Sequence, residues 1–385
     1  MKILLVQESD WLERGPHQQH QLMERLSLKG HEIRVIDYEI RWRAQGGKGI
    51  YTGRQVFNNI SKIHQGAAVT VIRPSIIKVP LLDYASVIFT HSREIKRQIK
   101  EFSPDVVIGF GILNSYLAAK AVRRHAIPFI YYWIDVLHQL VPFKPVRYVA
   151  KMVETRALRQ ADRILVINEK LKDYVAKMGA PLEVTHVIRA GIDAEQFRPR
   201  DNGNSVRKKY GLKGDDIVLF FMGWLYNFSG LKEVAMALAK AKNDNLKLLI
   251  VGEGDAYDEL QQIRQRYHLQ DSVILTGKKP YQEIPDFIDA SDVCLLPAYP
   301  AEKVMQDIVP IKIYEYMAMV KPVIATNLPG VMQEFGEDNG VVYISKPEDA
   351  VARAISLVQD GNLKEIGVRA RSFVENYSWD NITNQ

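Results

Sequence analysis

Two doubly wound, Rossmann-like α/β domains are the fold class this sequence predicts, and three observations carry that expectation. A chain of 385 residues exceeds one ordinary core and suits two domains of similar size. Short β-rich runs alternate with amphipathic helical stretches throughout, the pattern of parallel sheets covered by helices on both faces. The alternation then restarts after the polar, turn-rich segment Pro199-Arg200-Asp201-Asn202-Gly203-Asn204, which puts a junction at about residues 193–215.

In chain order, the first half offers strands at 3–6, 32–36, 69–72, 106–108, 129–133 and 164–167, with helical periodicity at 18–28, 113–124 and 169–178. The second half offers strands at 217–222, 247–251, 273–276, 293–296, 322–325 and 341–343, with helices at 231–242, 255–267 and 311–319. A last helical region at 363–377 is expected to cross back to the first domain. The expected partition is residues 1–200, 201–362 and a C-terminal helix within 363–385. Doubly wound sheets bind ligands outside the carboxyl ends of their strands, so a cleft between two facing domains is the expected site.

Composition narrows the function classes. Apolar residues make up 47% and charged residues 25%, which excludes disordered and fibrous chains. The single cysteine, Cys294, stands in the apolar run Val293-Cys294-Leu295-Leu296 and reads as a buried strand thiol. The opening run Met1 to Val6 reads as a strand and not a signal peptide, and no apolar stretch reaches membrane-spanning length. A cytoplasmic protein is expected, with peripheral contact at the inner face of a membrane left open and no nucleic-acid partner. Charge is uneven: residues 1–200 hold 31 Lys/Arg against 19 Asp/Glu, or +12, and the remainder carries −6. That basic half suggests an anionic partner or a solvated basic surface.

The segment from Met305 to Thr326 carries the chemistry. Pro310 suits the first helical position, which leaves the amides of Ile311, Lys312 and Ile313 pointing out of the helix start as an anion site. Lys312 and Glu315, three apart, share a helix face. A cation beside phosphate and a carboxylate accepting from ribose hydroxyls suit a nucleoside diphosphate, although an ordinary surface ion pair has the same spacing.

This segment resembles the signature of glycosyltransferase family 4, retaining enzymes of the GT-B fold. Glu315-Tyr316-Met317-Ala318 followed by Pro322-Val323-Ile324 is similar to the family's Glu-Ala-Met-Ala and Pro-Val-Ile, and Asp307 stands eight residues before Glu315, where the first acid belongs. The resemblance extends through Gly30-His31-Glu32, Ala161-Asp162, Asn168-Glu169, Gly191-Ile192-Asp193, Gly252-Glu253-Gly254, Gly277 and Ser378-Trp379. It implies that Asp307 contacts the donor sugar and Glu315 the ribose, and that Gly15 and Gly223 lie beside the donor diphosphate. Ile311, Ile313 and Gly277 complete the expected donor site.

The chain departs from the family where cations are usual. Gly223-Trp224 and Ser229-Gly230 replace the family's Gly-Arg and Lys-Gly, so Lys312 is the expected substitute, with Lys232, Lys303 and Arg14 behind it. Ile134 stands where many relatives have a histidine. Asp135 remains as a candidate catalytic group, with His138, Arg14 and His17 as acceptor-side candidates. There is no Asp-x-Asp triplet, and His17 with His20 lacks a third ligand at suitable spacing, so a metal-independent transferase is expected. The expectation is therefore transfer, with retention, of a sugar from a nucleoside diphosphate, UDP favoured over GDP, to a sugar or to a lipid-linked or anionic acceptor. The rivals are a non-catalytic nucleotide-binding or partner subunit of the same fold and a sugar-nucleotide epimerase.

Overall fold

The computed structural model describes residues 1–13, 16–39, 49–79, 82–141, 143–189, 191–200, 202–307 and 309–384, with residues 304 and 307 described for their backbone alone. It divides into two compact units, Met1–Arg189 and Ala190–Ile382, and the end of the chain groups with the first.

The first unit runs β1 (Lys2–Gln7), α1 (Gln18–Leu28), β2 (Glu32–Ile36), β3 (Tyr51–Thr52), β4 (Gln55–Ile60), β5 (Val69–Arg73), β6 (Ile76–Ile77), α2 (Leu82–Glu101), β7 (Val106–Phe110), α3 (Leu113–Val122), β8 (Phe129–Trp133), α4 (Leu137–Leu140), α5 (Lys144–Leu158), β9 (Arg163–Val166), α6 (Glu169–Lys177) and β10 (Thr185–Val187). Its eight-stranded sheet has the order β10-β9-β8-β7-β1-β2-β5-β4, parallel except for β4. The central strands β1 and β7 are apolar and buried on both faces, as crossover helices above and below a parallel sheet require.

Three of the strands that periodicity does not show, β3, β4 and β6, lie between β2 and α2, and β10 is a three-residue edge strand. β4 is mostly exposed, its register shifts between Phe57 and Ile60, and Asn59 has φ 56°. An edge strand with a bulge buries no regular face, so it leaves no alternation in the sequence.

The second unit runs α7 (Gly203–Lys209), β11 (Ile217–Met222), α8 (Leu231–Ala241), β12 (Leu246–Val251), α9 (Tyr257–Arg266), β13 (Val273–Leu275), α10 (Ile284–Asp289), β14 (Val293–Leu296), α11 (Lys303–Asp307), α12 (Ile311–Ala318), β15 (Val323–Thr326), α13 (Pro329–Phe335), β16 (Val341–Ile344), α14 (Asp349–Gln359), α15 (Leu363–Val374) and α16 (Trp379–Asn384). All six strands are parallel, in the order β13-β12-β11-β14-β15-β16. Cys294 lies fully buried in β14, where burial pushes its thiol up to about 12.

The C-terminal end returns to the first unit, as expected, but later in the chain than residues 363–377. α15 packs on α12 within the second unit, with Gly367 tight against Val320. Only the end of α16 belongs to the first unit, where Lys29 Nζ donates to Asn384 Oδ1.

Strand order locates the switch points at which such sheets open a crevice. In the first unit the winding reverses between β1 and β7, and in the second between β11 and β14.

Candidate functional site

At the switch point of the second unit, the loops after β11 and β12 are joined backbone to backbone. Gly223 N–H donates to the Val251 carbonyl (2.9 Å), Leu225 N–H to Glu253 O (2.9 Å) and Gly252 N–H to Gly277 O (3.0 Å). A Cβ on Gly252 would lie 1.9 Å from the Gly223 carbonyl oxygen, so only glycine allows this approach. Gly277 itself has φ 70° and open space around it, so its requirement is conformational.

The helix after β14 brings the polar groups. Pro310 is the N-cap of α12, with φ −66° and ψ 130°, so it stands one place before the first helical position, and the helix begins at Ile311 as periodicity suggests. Of the three expected free amides, that of Ile313 donates to Pro310 O (3.1 Å), and Ile313 is buried in the core while Ile311 is half-buried. Lys312 extends from the first turn to Gly223. Its Nζ lies 4.1 Å from the Phe221 ring centroid and 2.7 Å from where a Gly223 side chain would begin. Burial lowers the Lys312 pKa to about 8, against the opposing pull of Glu315.

Glu315, on the same face, is nearly buried and accepts from Tyr281 Oη at 2.7 Å. Burial raises its carboxyl to about 7, countered by Tyr281 and Lys312. Tyr281 is held by Gln196 Nε2 on its carbonyl (3.0 Å) and by the Phe197 ring. Tyr316 Oη accepts from Met222 N–H (3.0 Å), which fastens α12 to the end of β11. Tyr281 and Phe221 are members of this cluster that the sequence reading missed. Phe221 stands at a strand end, which is a usable signal, but Tyr281 reaches Glu315 from a remote turn that no local pattern announces.

The other expected cations are placed differently. Lys232 pairs with Glu259 (2.9 Å), Lys303 is exposed, and Arg14, with its neighbour Gly15, lies outside the described residues. The side chain of Asp307 also lies outside them; its backbone closes α11. Trp224 is partly exposed, and its Nε1 is 3.4 Å from Asp255 Oδ2.

In the first unit, Glu8 and α3 meet at the β1/β7 switch point. Glu8 Oε1 accepts from Asn114 N–H (2.6 Å), a Cβ on Gly111 would press on the Glu8 side chain, and burial raises the Glu8 carboxyl to about 7. Glu8 was missed in the sequence, although the residue just past β1 is where a doubly wound sheet puts its ligand groups. Asp135, just past β8, accepts from Val136 N–H (2.7 Å), and burial raises its carboxyl to about 6.

His138 is buried in α4 with both ring nitrogens engaged, Nδ1 with Glu154 Oε2 (2.5 Å) and Nε2 with Tyr174 Oη (3.1 Å). Glu154 also accepts from Trp133 Nε1 (2.6 Å). This ties α4, α5 and α6 to the end of β8, with both nitrogens of His138 taken up in the tie. His17 is the exposed N-cap of α1, and its N–H donates to His20 Nδ1 (3.1 Å), whose Nε2 meets Trp11 O (3.1 Å). Beside them, Arg73 bridges Asp10 (2.8 Å) and Asp37 (2.6 Å), joining the ends of β1, β2 and β5 beneath the first loop. Among the described residues no group of three His, Cys, Asp or Glu could hold a metal ion, and no helix is long and apolar enough to cross a membrane.

Two family models match the chain, Glycosyltransferase Family 4 over residues 18–196 and Glycosyl transferases group 1 over residues 203–372. The chain belongs to glycosyltransferase family 4. Among curated members it is 29% identical over 229 residues to the alpha-D-kanosaminyltransferase of Streptomyces kanamyceticus, covering 56% of each chain. It is 24% identical over 233 residues to the N-acetyl-alpha-D-glucosaminyl L-malate synthase of Bacillus anthracis, covering 59% of each. The chain spans about half the length of the curated relatives it matches first.

Solved structures of the GT-B fold align along the whole chain. Anabaena HepE in complex with UDP-glucose gives a TM-score of 0.75 at 18% identity, covering 100% of this chain and 98% of that one. WaaG, a glycosyltransferase involved in lipopolysaccharide biosynthesis, gives 0.71 at 15%, covering 99% and 97%. The GT-B fold of two Rossmann-like units is thus shared with them.

Proposed function

We propose that this family-4 chain transfers a sugar from a nucleoside diphosphate to an acceptor with retention at the anomeric carbon. The observation that carries the reading is the pairing on one turn of α12: Lys312 at Gly223 over Phe221, and Glu315 at Tyr281. A diphosphate at the β11 loop meets the Lys312 ammonium, and ribose hydroxyls donate to the Glu315 carboxylate. The bond from the anomeric carbon to the phosphate oxygen breaks, and the acceptor oxygen bonds to the same face. The acceptor's proton passes to the departing diphosphate. Lys312 stabilises the charge that grows on the diphosphate, and Asp307 is assigned to the donor sugar. On the acceptor side, Asp135 and Glu8 are the carboxyl groups assigned to hydroxyl recognition.

UDP is the favoured nucleotide, supported by the UDP-glucose complex of the HepE relative in fold. No step of this scheme calls on a metal ion, because a lysine answers the leaving charge. The acceptor is assigned as sugar-based and lipid-linked or anionic, met by a chain working peripherally at the inner membrane face, in keeping with the +12 balance of residues 1–200. The test is calorimetry with UDP and GDP, followed by acceptor-free hydrolysis across a panel of sugar nucleotides. Nucleotide binding without hydrolysis or transfer for any donor would favour a non-catalytic subunit, and an epimerised donor would favour an isomerase.

A further inference from the structure

Two helices of the first unit turn apolar side chains outward. α2 and α5 both pack against α3 and so lie in one helix layer. Each leads back to the start of a parallel strand, β7 and β9, so each begins at the carboxyl edge of the sheet. The outward residues crowd that edge. On α2 they are Tyr84, Ile88 and Phe89, the last 75% exposed. On α5 they are Tyr148, 79% exposed, with Val149 and Met152, and Phe143 precedes them at 65%.

A core helix would hide this stripe. Instead α5 buries Glu154, Ala157 and Leu158 and presents its apolar side to solvent. The bond of Glu154 to Trp133 and His138 fixes which face turns inward.

Charge identifies the occupant. Exposed Lys144, Lys151 and Arg156 flank the stripe on α5, and Arg93, Lys96 and Lys100 continue the outward side of α2. The one acid of α5, Glu154, is buried and bonded, and on α2 Asp83 and Glu94 are buried, which leaves Glu101 as the exposed acid of the two helices. An apolar stripe bordered by cations, at the edge where the acceptor residues stand, complements an anionic bilayer.

We propose that the outward faces of α2 and α5 dock the protein on anionic lipid, with the apolar side chains in the headgroup boundary and the lysines and arginines on lipid phosphates. The proposal deepens the reading of a membrane-held acceptor and rests on it only for its purpose, since docking needs no turnover.

Flotation with vesicles of phosphatidylcholine alone and of equal parts phosphatidylcholine and phosphatidylglycerol tests it. The protein is expected to float with the anionic vesicles and to lose them as salt rises. Each juxtamembrane cation is worth roughly fivefold in partitioning, so Lys144→Gln with Lys151→Gln should lower it roughly thirtyfold. Phe89→Asp with Tyr148→Asp should abolish flotation, while Leu182→Asp, an exposed site preceding β10 at the other edge of the sheet, should leave it unchanged; circular dichroism checks the fold of each.

Equal recovery on both vesicle types, recovery on neither, or undiminished flotation of the double aspartate variant would overturn the proposal. So would a wild-type dimer that the same variant dissolves, which would give the surface to a second copy. UDP binding on the same preparations separates the two ideas. Binding without flotation removes docking and leaves transfer standing, and flotation without binding does the reverse.

Discussion

Lys312 makes the sharpest prediction, because burial brings its titration close to neutral pH. Burial lowers its pKa to about 8, so the ammonium is lost in mild alkali. A bound diphosphate favours the charged form and raises that pKa. The sign follows: the Lys312 contribution to nucleoside diphosphate affinity is full below about 8 and falls as pH rises through it, by about tenfold per unit, until the pKa of the complex is reached. The window lies above the titration of a terminal phosphate near about 6, and uridine, which carries the same uracil N3–H, controls for ionisation of the base in alkali. Lys312→Met should cost about 1.5–3 kcal/mol in UDP binding, the worth of a charge-assisted hydrogen bond, and should remove the alkaline fall. Lys312→Arg should keep the affinity and also remove the fall, since a guanidinium stays charged. Calorimetry with UDP and with uridine, from pH 7 to about 9, reads all of this: uridine should show no loss in Lys312→Met, and the ratio of UDP to uridine affinity should carry the fall. A Lys312→Met protein that retains the wild-type fall would refute the assignment, and the charge would then belong to Lys232, Lys303 or Arg14.

How much of this was legible in the sequence depends on whether a residue's neighbours are local. The parallel strands β1, β7, β8, β11 and β14 were readable because burial on both faces favours continuous apolar runs. The pairing of Lys312 with Glu315 was readable because three residues make most of a helix turn. Pro310 misled by one place, because a proline suits the N-cap as well as the first turn when its ψ is extended. Tyr281 and Glu154 were silent, because each acts through a residue from another element, Glu315 and His138, whereas Phe221 stands near the end of β11 and could have been found there. His138 shows the same limit. Spacing placed it near Asp135, but its two ring bonds come from α5 and α6, and they make it part of the frame. The outward face of α5 was undecidable from periodicity, which fixes that a helix has two sides but not which one faces the core.

Three further perturbations test the site and its frame. Glu315→Gln should weaken uridine and UDP alike by about 1–3 kcal/mol in calorimetry. In the wild type, uridine affinity should rise with pH through about 7 as the carboxyl ionises, and a flat profile would remove Glu315 from the ribose. Gly223→Ala forces a Cβ to within 2.7 Å of Lys312 Nζ at φ 122°, so turnover of a sugar nucleotide should drop at least tenfold, while a thermal-shift assay shows about 1–3 kcal/mol of strain. The last concerns the floor beneath the first loop. Arg73 satisfies Asp10 and Asp37 together, and both carboxylates are almost fully buried. Arg73→Met removes the cation and leaves two like charges facing each other out of water, so urea unfolding should report a loss of about 3–5 kcal/mol. Adding Asp37→Asn and Asp10→Asn should recover much of that loss, because the cost lies in the orphaned charge and not in the absent bridge. If the triple variant is no more stable than Arg73→Met alone, packing of the guanidinium against Phe57, 6.0 Å from its ring centroid, is what Arg73 contributes.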